Sequence, residues 1–348
     1  MAARVLRHDE LGSSGGRVIN IHGIGHFHPE NEIDNAFLEA LDIGTNDAWI
    51  VERVGIRSRR TVLELDYIKE TYNRDTRAAA EASVYTNAET AAHAARMAMK
   101  RAGVEASDIG MVISGSCSPQ WTAPAEACTV AAELGIEALS VDVSSACSTF
   151  AAQLDYLNRA ATDALPEFVL IVQPENNTRA VDYSDRRAAV IWGDASTAAV
   201  LSAKHPGRAK VTYTSLHSNP ASWQKVRIPV GGHFEQDGSA VQRFAIREGS
   251  SALKELIGCA RGDADRVVFV GHQANLLVLE GICRRVEVDS ERHFHNVTDF
   301  GNCGAAGAPS VLSQRWDRFD AGDEVAVALV GAGLTWGGAL IEFGSSEE

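Results

Sequence analysis

With 348 residues, 45% hydrophobic and 22% charged, the chain is long enough for two packed units or one large duplicated unit. A net charge of −14 argues against nucleic acid as a partner and means that a phosphate or an acidic partner needs a local basic patch. Six cysteines without CxxC spacing fit neither a disulfide framework nor a zinc site, and no apolar run is long enough to span a bilayer. A reducing cytoplasm is the expected setting. Residues 1–16 lack an apolar core of signal-peptide length and read as a frayed tail.

In chain order, residues 17–25 read as an opening strand, 31–41 as a short helix, and 46–50 as a helical start capped by Asn46 or Asp47. Residues 55–60 form a basic turn, in which Arg57, Arg59 and Arg60 are the best local cations for phosphate or an acidic partner. The polar stretch 61–86 reads as a covering excursion. Residues 87–102 carry an alanine-rich face and stop at Gly103, which predicts a helix. A strand over 108–114 and a helix over 125–134 follow. Over 139–157 the apolar period changes from two to about 3.6. Val141 and Val143 thus belong to a strand, and Phe150, Leu154 and Leu157 to a helix. Residues 168–172 are a buried strand, and 188–203 an apolar hairpin turning near Gly193.

The second half repeats the order: helix 247–259, strand 266–270, helix 275–286, strand 293–297, then a glycine-rich turn at 301–304 opening a helix through 314. A hairpin over 324–343 closes the chain around Gly331 and Gly333. Ile113 to Cys147 spans 34 residues and Val270 to Asn302 spans 32, so the halves superpose. Strands alternating with helices predict parallel sheets covered on both faces, and the repeat predicts two copies of one unit, 17–204 and 205–348.

Cys147 lies in a run of small residues, Ser144 to Ser148, at a strand-to-helix junction. Its sulfur is then close to unpaired helix N–H groups, whose partial positive charge favours thiolate over thiol. Ligands in such folds sit at the carboxyl ends of strands. His272 follows a strand directly, and Asn302 takes in the second half the place that Cys147 holds in the first, 155 positions earlier. A thiolate attacking an activated carbonyl, with His272 and Asn302 donating to an oxygen that becomes negative, makes an acyl-transfer site. Backbone amides at Cys147 and in the 331–333 turn are candidates for an oxyanion hole. His22, His26 and His28 read as strand-and-turn surface, His293 and His295 share a strand face, and no metal is expected at either group.

Six stretches then stand in a recognisable order: NDAWIVERVGIRSRR (46–60), DVSSACSTF (142–150), IWGDASTAAVL (191–201), GHQAN (271–275), FGNCGAAGAPSVL (300–312) and VGAGLTWGGALI (330–341). Through them the chain resembles the β-ketoacyl-acyl carrier protein synthase III family of the thiolase superfamily, from about residue 17 to 343. The resemblance implies an α/β duplicated thiolase fold, layered α-β-α-β-α with two mixed sheets, and a homodimer. It implies an acyltransferase of the ketosynthase III type. Cys147 accepts an acyl chain from coenzyme A or an acyl carrier protein, and His272 and Asn302 stabilise the enolate of a decarboxylating malonyl-type extender. It also implies that Trp49 stacks on the adenine of coenzyme A, that Arg53 lies at the mouth of the pantetheine tunnel, and that Asn275 is near the pantetheine arm. Thioester substrates are expected, with no further cofactor and no membrane insertion.

Departures from the family bear on substrate. Ala123 stands where an aromatic residue often gates the acyl pocket, Leu277 where housekeeping enzymes often carry a carrier-docking arginine, and Cys303 where a hydroxyl residue is usual. With the long 61–86 stretch, these point toward secondary-metabolism relatives. Some of those condense two carried acyl or β-ketoacyl chains; others pass the acyl group to oxygen or nitrogen. The intact Cys-His-Asn set favours carbon–carbon bond formation over transfer to an O or N nucleophile, and over a non-condensing scaffold subunit. A degradative thiolase would need a second cysteine in the final hairpin turn, which has none.

Overall fold

Buried β-branched runs alternate with small-residue helices, and each run becomes a strand of one extended sheet. In the computed structural model, which describes residues 18–344, the first half opens with β1 (Ile19–Phe27) and β2 (Asn31–Asp34). Next come α1 (Asn35–Ala40), α2 (Asp47–Val54), β3 (Ser58–Thr61), α3 (Leu65–Thr71), α4 (Ala78–Glu81) and α5 (Asn87–Ala102). The half continues with β4 (Ile109–Ser114), α6 (Glu126–Leu134), β5 (Leu139–Asp142), α7 (Thr149–Arg159), β6 (Phe168–Glu175), α8 (Arg186–Ala189) and β7 (Ala195–Ser202). The second half runs through β8 (Ala209–Ser218), the short ribbon β9 (Val226–Arg227) and β10 (Glu235–Gln236), α9 (Gly238–Gly258), β11 (Val268–Gly271) and α10 (Leu276–Val286). It closes with β12 (His293–Phe294), α11 (Val297–Phe300), α12 (Gly307–Arg315), β13 (Glu324–Gly331) and β14 (Thr335–Phe343).

Strand order repeats between the halves: β1-β7-β6-β4-β5 in the first and β8-β14-β13-β11-β12 in the second. In each, the second strand is antiparallel to the first and third on either side of it, and the last two run parallel to the third. The two five-stranded sheets join at one edge, through Ile19–Ile21 of β1 and Ala209–Val211 of β8, so that pairing runs on through ten strands. Helices α7 and α12 share a core with strands of both halves; α5 and α6 cover the other face of the first, and α9 and α10 that of the second. This is the five-layer α-β-α-β-α arrangement. The alanines of α5 have a direct purpose in it. A Cβ on Gly23 or Gly25 of β1 would lie 2.3 or 2.0 Å from the carbonyls of Ala98 or Ala94, so helix and strand touch backbone to backbone.

The structure departs from the sequence expectations at several places. Residues 188–203 are not a hairpin: α8 leads through a loop into the single strand β7, whose antiparallel neighbours are β6 and β1. The loop is fixed by the buried Asp194 carboxylate, which accepts from the N–H groups of Val62 and Thr178 at 2.8 Å each. The expected helix over 31–41 begins as β2, which pairs with β3 where a basic turn was expected. Arg59 is therefore buried, donating to Asn35 Oδ1 (2.6 Å) and the Val190 carbonyl (3.1 Å). Arg60 pairs with Glu32 at 3.0 Å, and Arg57 stays exposed. The 61–86 stretch is a packed wall with Leu63, Ile68 and Ala79 buried; Asn73 Nδ2 donates to the carbonyls of Arg179 and Val181 at 2.9 Å each. His28 is not a surface residue, since it stacks on Phe300 with 3.8 Å between ring centroids, and burial first, then His26, pushes its pKa down to about 3. The tail expected over residues 1–16 lies outside the described residues. Among these, no helix is long and apolar enough to cross a membrane.

Candidate active site

Cys147, His272 and Asn302 arrive on three different turns and line one cavity of about 580 Å³, together with Trp49, Arg53 and Asn275. Cys147 stands between β5 and α7, just after Ala146, whose φ of +47° makes the chain turn sharply. Thr149 holds this elbow by accepting from the Ser145 N–H (2.9 Å) and donating to the Ala146 carbonyl (2.6 Å). Ser148 Oγ, 2.7 Å from Thr335 Oγ1, ties the start of α7 to the turn between β13 and β14. A Cβ on Gly331 would come within 3.2 Å of the Cys147 nitrogen, so that turn closes over the nucleophile.

His272 extends from β11, its N–H donating to the Ala328 carbonyl of β13 at 2.9 Å. The adjoining Gln273 is buried: Nε2 donates to the Gly271 carbonyl (2.7 Å), and Oε1 accepts from the N–H groups of Asn296 (3.0 Å) and Val297 (3.2 Å). It thereby binds the histidine turn to the segment leading into Asn302. The Asn302 backbone pairs across the halves, donating to the Ile191 carbonyl (2.9 Å) and accepting from the Gly193 N–H (3.1 Å). Its Oδ1 accepts from the Gly304 N–H at 3.0 Å, which leaves Nδ2 as the amide group available to the cavity.

The Cys147 thiol is held well below its usual range. A hydrogen bond with Cys117 contributes most, and His272 and the residue's own backbone N–H add to it against the cost of burial. The two sulfurs lie 3.8 Å apart. Cys117 is pushed up by the same contact, by burial and by Glu175. Glu175, at the end of β6, accepts from the N–H groups of Cys117 (3.0 Å) and Ala305 (3.2 Å); burial and the neighbouring Cys147 raise it to about 8.

Toward the surface, Trp49 sits on α2, capped by Asn46, whose Oδ1 accepts from the Trp49 N–H at 2.9 Å. The guanidinium carbons of Arg53 and Arg186 lie 4.9 and 4.8 Å from the Trp49 ring centroid. Asn275 caps α10 through its Oδ1, which accepts from Val278 N–H at 2.9 Å. All six residues singled out in the sequence thus meet at one cavity. Cys117, Glu175 and Arg186 were not foreseen; the available signal was that the first two end strands on the same side as Cys147. Ala123 is exposed and does not line the cavity. Cys303 is buried, with Sγ 3.3 Å from the Phe300 carbonyl, and keeps its proton because burial raises its pKa.

A duplicated α/β fold with a thiol at a helix start, facing a histidine and an asparagine from the second copy, defines a thiolase-superfamily acyltransferase. Residues 141–220 match the model of 3-oxoacyl-[acyl-carrier-protein (ACP)] synthase III, and residues 258–343 match that of its C-terminal part. The chain is 32% identical over 332 residues to the β-ketoacyl-[acyl-carrier-protein] synthase III of Rhizorhabdus wittichii, covering 92% of this chain and 98% of that one. It belongs to the β-ketoacyl-[acyl-carrier-protein] synthase III family. Its structure is similar to that of the 3-oxoacyl-[acyl-carrier-protein] synthase III of Aquifex aeolicus, with a TM-score of 0.82, 26% identity and coverage of 93% and 100% of the two chains. It is also similar to the priming β-ketosynthase from the R1128 polyketide biosynthetic pathway, with a TM-score of 0.80, 25% identity and coverage of 94% and 97%.

Proposed function

We propose that the chain takes an acyl group onto Cys147 from coenzyme A or an acyl carrier protein and condenses it with a second acyl, malonyl or β-ketoacyl thioester. The supporting observation is the convergence of the Cys147 sulfur, the His272 ring and the Asn302 amide on one cavity that reaches the surface beside Trp49 and Arg53. In loading, the thiolate attacks the thioester carbonyl, a new C–S bond forms, and the carrier thiolate leaves and takes up a proton. The Cys147 N–H and the turn around Gly331 offer donors to the transient oxyanion. In condensation with a malonyl thioester, loss of carbon dioxide leaves an enolate, whose oxygen accepts hydrogen bonds from His272 and Asn302. The enolate carbon attacks the acyl-enzyme, and Cys147 departs as thiolate.

Trp49 and Arg186 offer a stacking platform for adenine, and Asn275 a polar contact for the pantetheine arm. The exposed cations Arg53 and Arg57 suit phosphates or an acidic carrier in a chain of net charge −14. Leu277, with the likeness to a polyketide priming enzyme, favours a secondary-metabolite or lipid-like pathway. A cytoplasmic homodimer fits six free cysteines and the open edge of β5, where Leu139 is 59% exposed. Residues 17–204 and 205–348 act as the two repeated units, with 61–86 as a covering excursion of the first. Intact-protein mass spectrometry after exposure to acyl thioesters tests the reading: an acyl adduct that Cys147→Ala abolishes is expected. No adduct from any coenzyme A or carrier-protein donor would sink it.

A further inference from the structure

We infer that Cys117 is a second catalytic thiol, whose S–H donates to the Cys147 sulfur, holds it as the resting thiolate and receives it again as the leaving group of condensation. This rests on Cys147 being the acyl-accepting nucleophile. The Sγ–Sγ separation of 3.8 Å is within reach of an S–H···S contact. The surroundings decide which sulfur keeps the proton. Cys147 faces His272 and its own N–H at the start of α7, both of which favour an anion. Burial within the turn opposes an anion at Cys117, whose own N–H is taken up by the Glu175 carboxyl at 3.0 and 3.2 Å instead of facing its sulfur. The groups of changeable charge around Cys147 are therefore Cys117 from the turn after β4, Glu175 from the end of β6 and His272 from the turn after β11.

The donor is held in place. Ser118 N–H donates to Ser116 Oγ (3.0 Å), Ser118 Oγ donates to Asn177 Oδ1 (2.9 Å), and Ser144 Oγ donates to the Ser116 carbonyl (3.1 Å). The turn that carries Cys117 is thus fastened both to the segment after β6 and to the nucleophile elbow. Proton and electron accounting closes without a co-reactant. When the C–S bond forms in loading, Cys117 retains its proton and loses an anionic acceptor. When the enolate carbon bonds to the acyl carbonyl and the C–S bond breaks, the electron pair returns to Cys147 sulfur and the same S–H donates to it again.

The test is the pH dependence of Cys147 alkylation by iodoacetamide in the full-length protein, with the site assigned by peptide mass mapping because Cys128 and Cys259 are also exposed. Cys117→Ala should move the midpoint of the Cys147 labelling profile up by about one pH unit, which slows labelling about tenfold at pH values below the wild-type midpoint. Cys117→Ser, which keeps a donor, should retain most of the wild-type rate. Should the alanine variant fail to fold, Cys117→Val, close in size and without a donor, carries the same expectation. An unchanged profile in the donor-free variant, or label preferring Cys117 over Cys147 in the wild type, overturns the assignment. Acyl-adduct formation, measured in parallel, separates the two readings. An adduct on Cys147 with an unmoved alkylation profile defeats the role of Cys117 alone, and no wild-type adduct defeats the acyl-transfer reading itself.

Discussion

Gly193→Ala perturbs Asn302 without touching its side chain. A Cβ at residue 193 would lie 2.1 Å from the Phe300 carbonyl oxygen and 3.3 Å from Arg59 Cβ. Real Cβ atoms essentially never come within 3.0 Å of another heavy atom, so the two segments must separate by about 0.9 Å. The nearer neighbour is backbone and cannot rotate away. The segments are held together by Gly193 N–H to the Asn302 carbonyl (3.1 Å) and Asn302 N–H to the Ile191 carbonyl (2.9 Å), so the shift is delivered to Asn302. Overpacking of this kind costs about 1–3 kcal/mol, and a displacement near 1 Å at a catalytic group costs roughly 100-fold in rate. Product formation from a loaded acyl-enzyme, followed by mass spectrometry, should fall about that much. Acylation of Cys147 should survive, and urea unfolding should report the modest stability loss. A folded Gly193→Ala enzyme that condenses at the wild-type rate would refute the claim that this backbone pairing sets the position of Asn302.

His272→Ala and Asn302→Ala should each leave acylation of Cys147 largely intact while lowering condensation by about 100-fold or more; loss of loading in both would contradict the division of labour. Trp49→Ala should raise KM for acyl-coenzyme A by about tenfold, as the loss of one stacking contact of ~1–2 kcal/mol implies, with kcat little changed. An equal rise for carrier-protein donors, which present no adenine, would show that Trp49 serves another purpose. Glu175 has a folded-state pKa raised from 4.5 to about 8, first by burial and then by Cys147. Between those values the folded chain holds a proton that the unfolded chain releases. The stabilisation is therefore full below pH 4.5 and is lost as pH rises toward 8, at most about 1.4 kcal/mol per pH unit. Glu175→Gln should flatten the stability profile across that window relative to wild type, as read by chemical denaturation at a series of pH values. Parallel profiles for the two proteins would mean that Glu175 is already ionised at neutral pH.

Elements with a one-sided pattern were legible from sequence, and elements fixed by distant partners were not. The α5 helix announced itself through its alanine face and the closing Gly103, and the structure adds a Thr86–Glu89 capping box at its start. Cys147 was legible because the apolar period changes on either side of it. Residues 188–203 misled because β7 is buried on both faces and carries no alternation, while the preceding bend depends on Asp194 meeting Val62, 132 positions away. The strand β8, which joins the two halves, is only partly buried and rich in polar residues, so its apolar signal is thin. Arg59 reads as a surface cation until the β2–β3 pairing turns it inward onto Asn35 and Val190. Cys117 and Glu175 are ordinary residues at strand ends, and only their contact with each other and with Cys147 gives them a role.

Duplication explains why a site this exacting can be built from residues so far apart in the chain. Each copy ends its parallel strands on the same side, so one copy can supply the nucleophile and the other the histidine and asparagine. Placement to a few tenths of an ångström then needs ties between the copies, and the structure has several at the site. Gly193 N–H donates to the Asn302 carbonyl, Asn302 N–H donates to the Ile191 carbonyl, Ser148 Oγ meets Thr335 Oγ1, and Glu175 accepts from Ala305 N–H. These link the first half to the second within a few residues of Cys147 or Asn302. None of them contributes to the bulk hydrophobic core, which is shared instead through α7 and α12. Stability and catalytic geometry are therefore carried by different contacts, and weakening one of these ties should separate loading from condensation before it unfolds the protein.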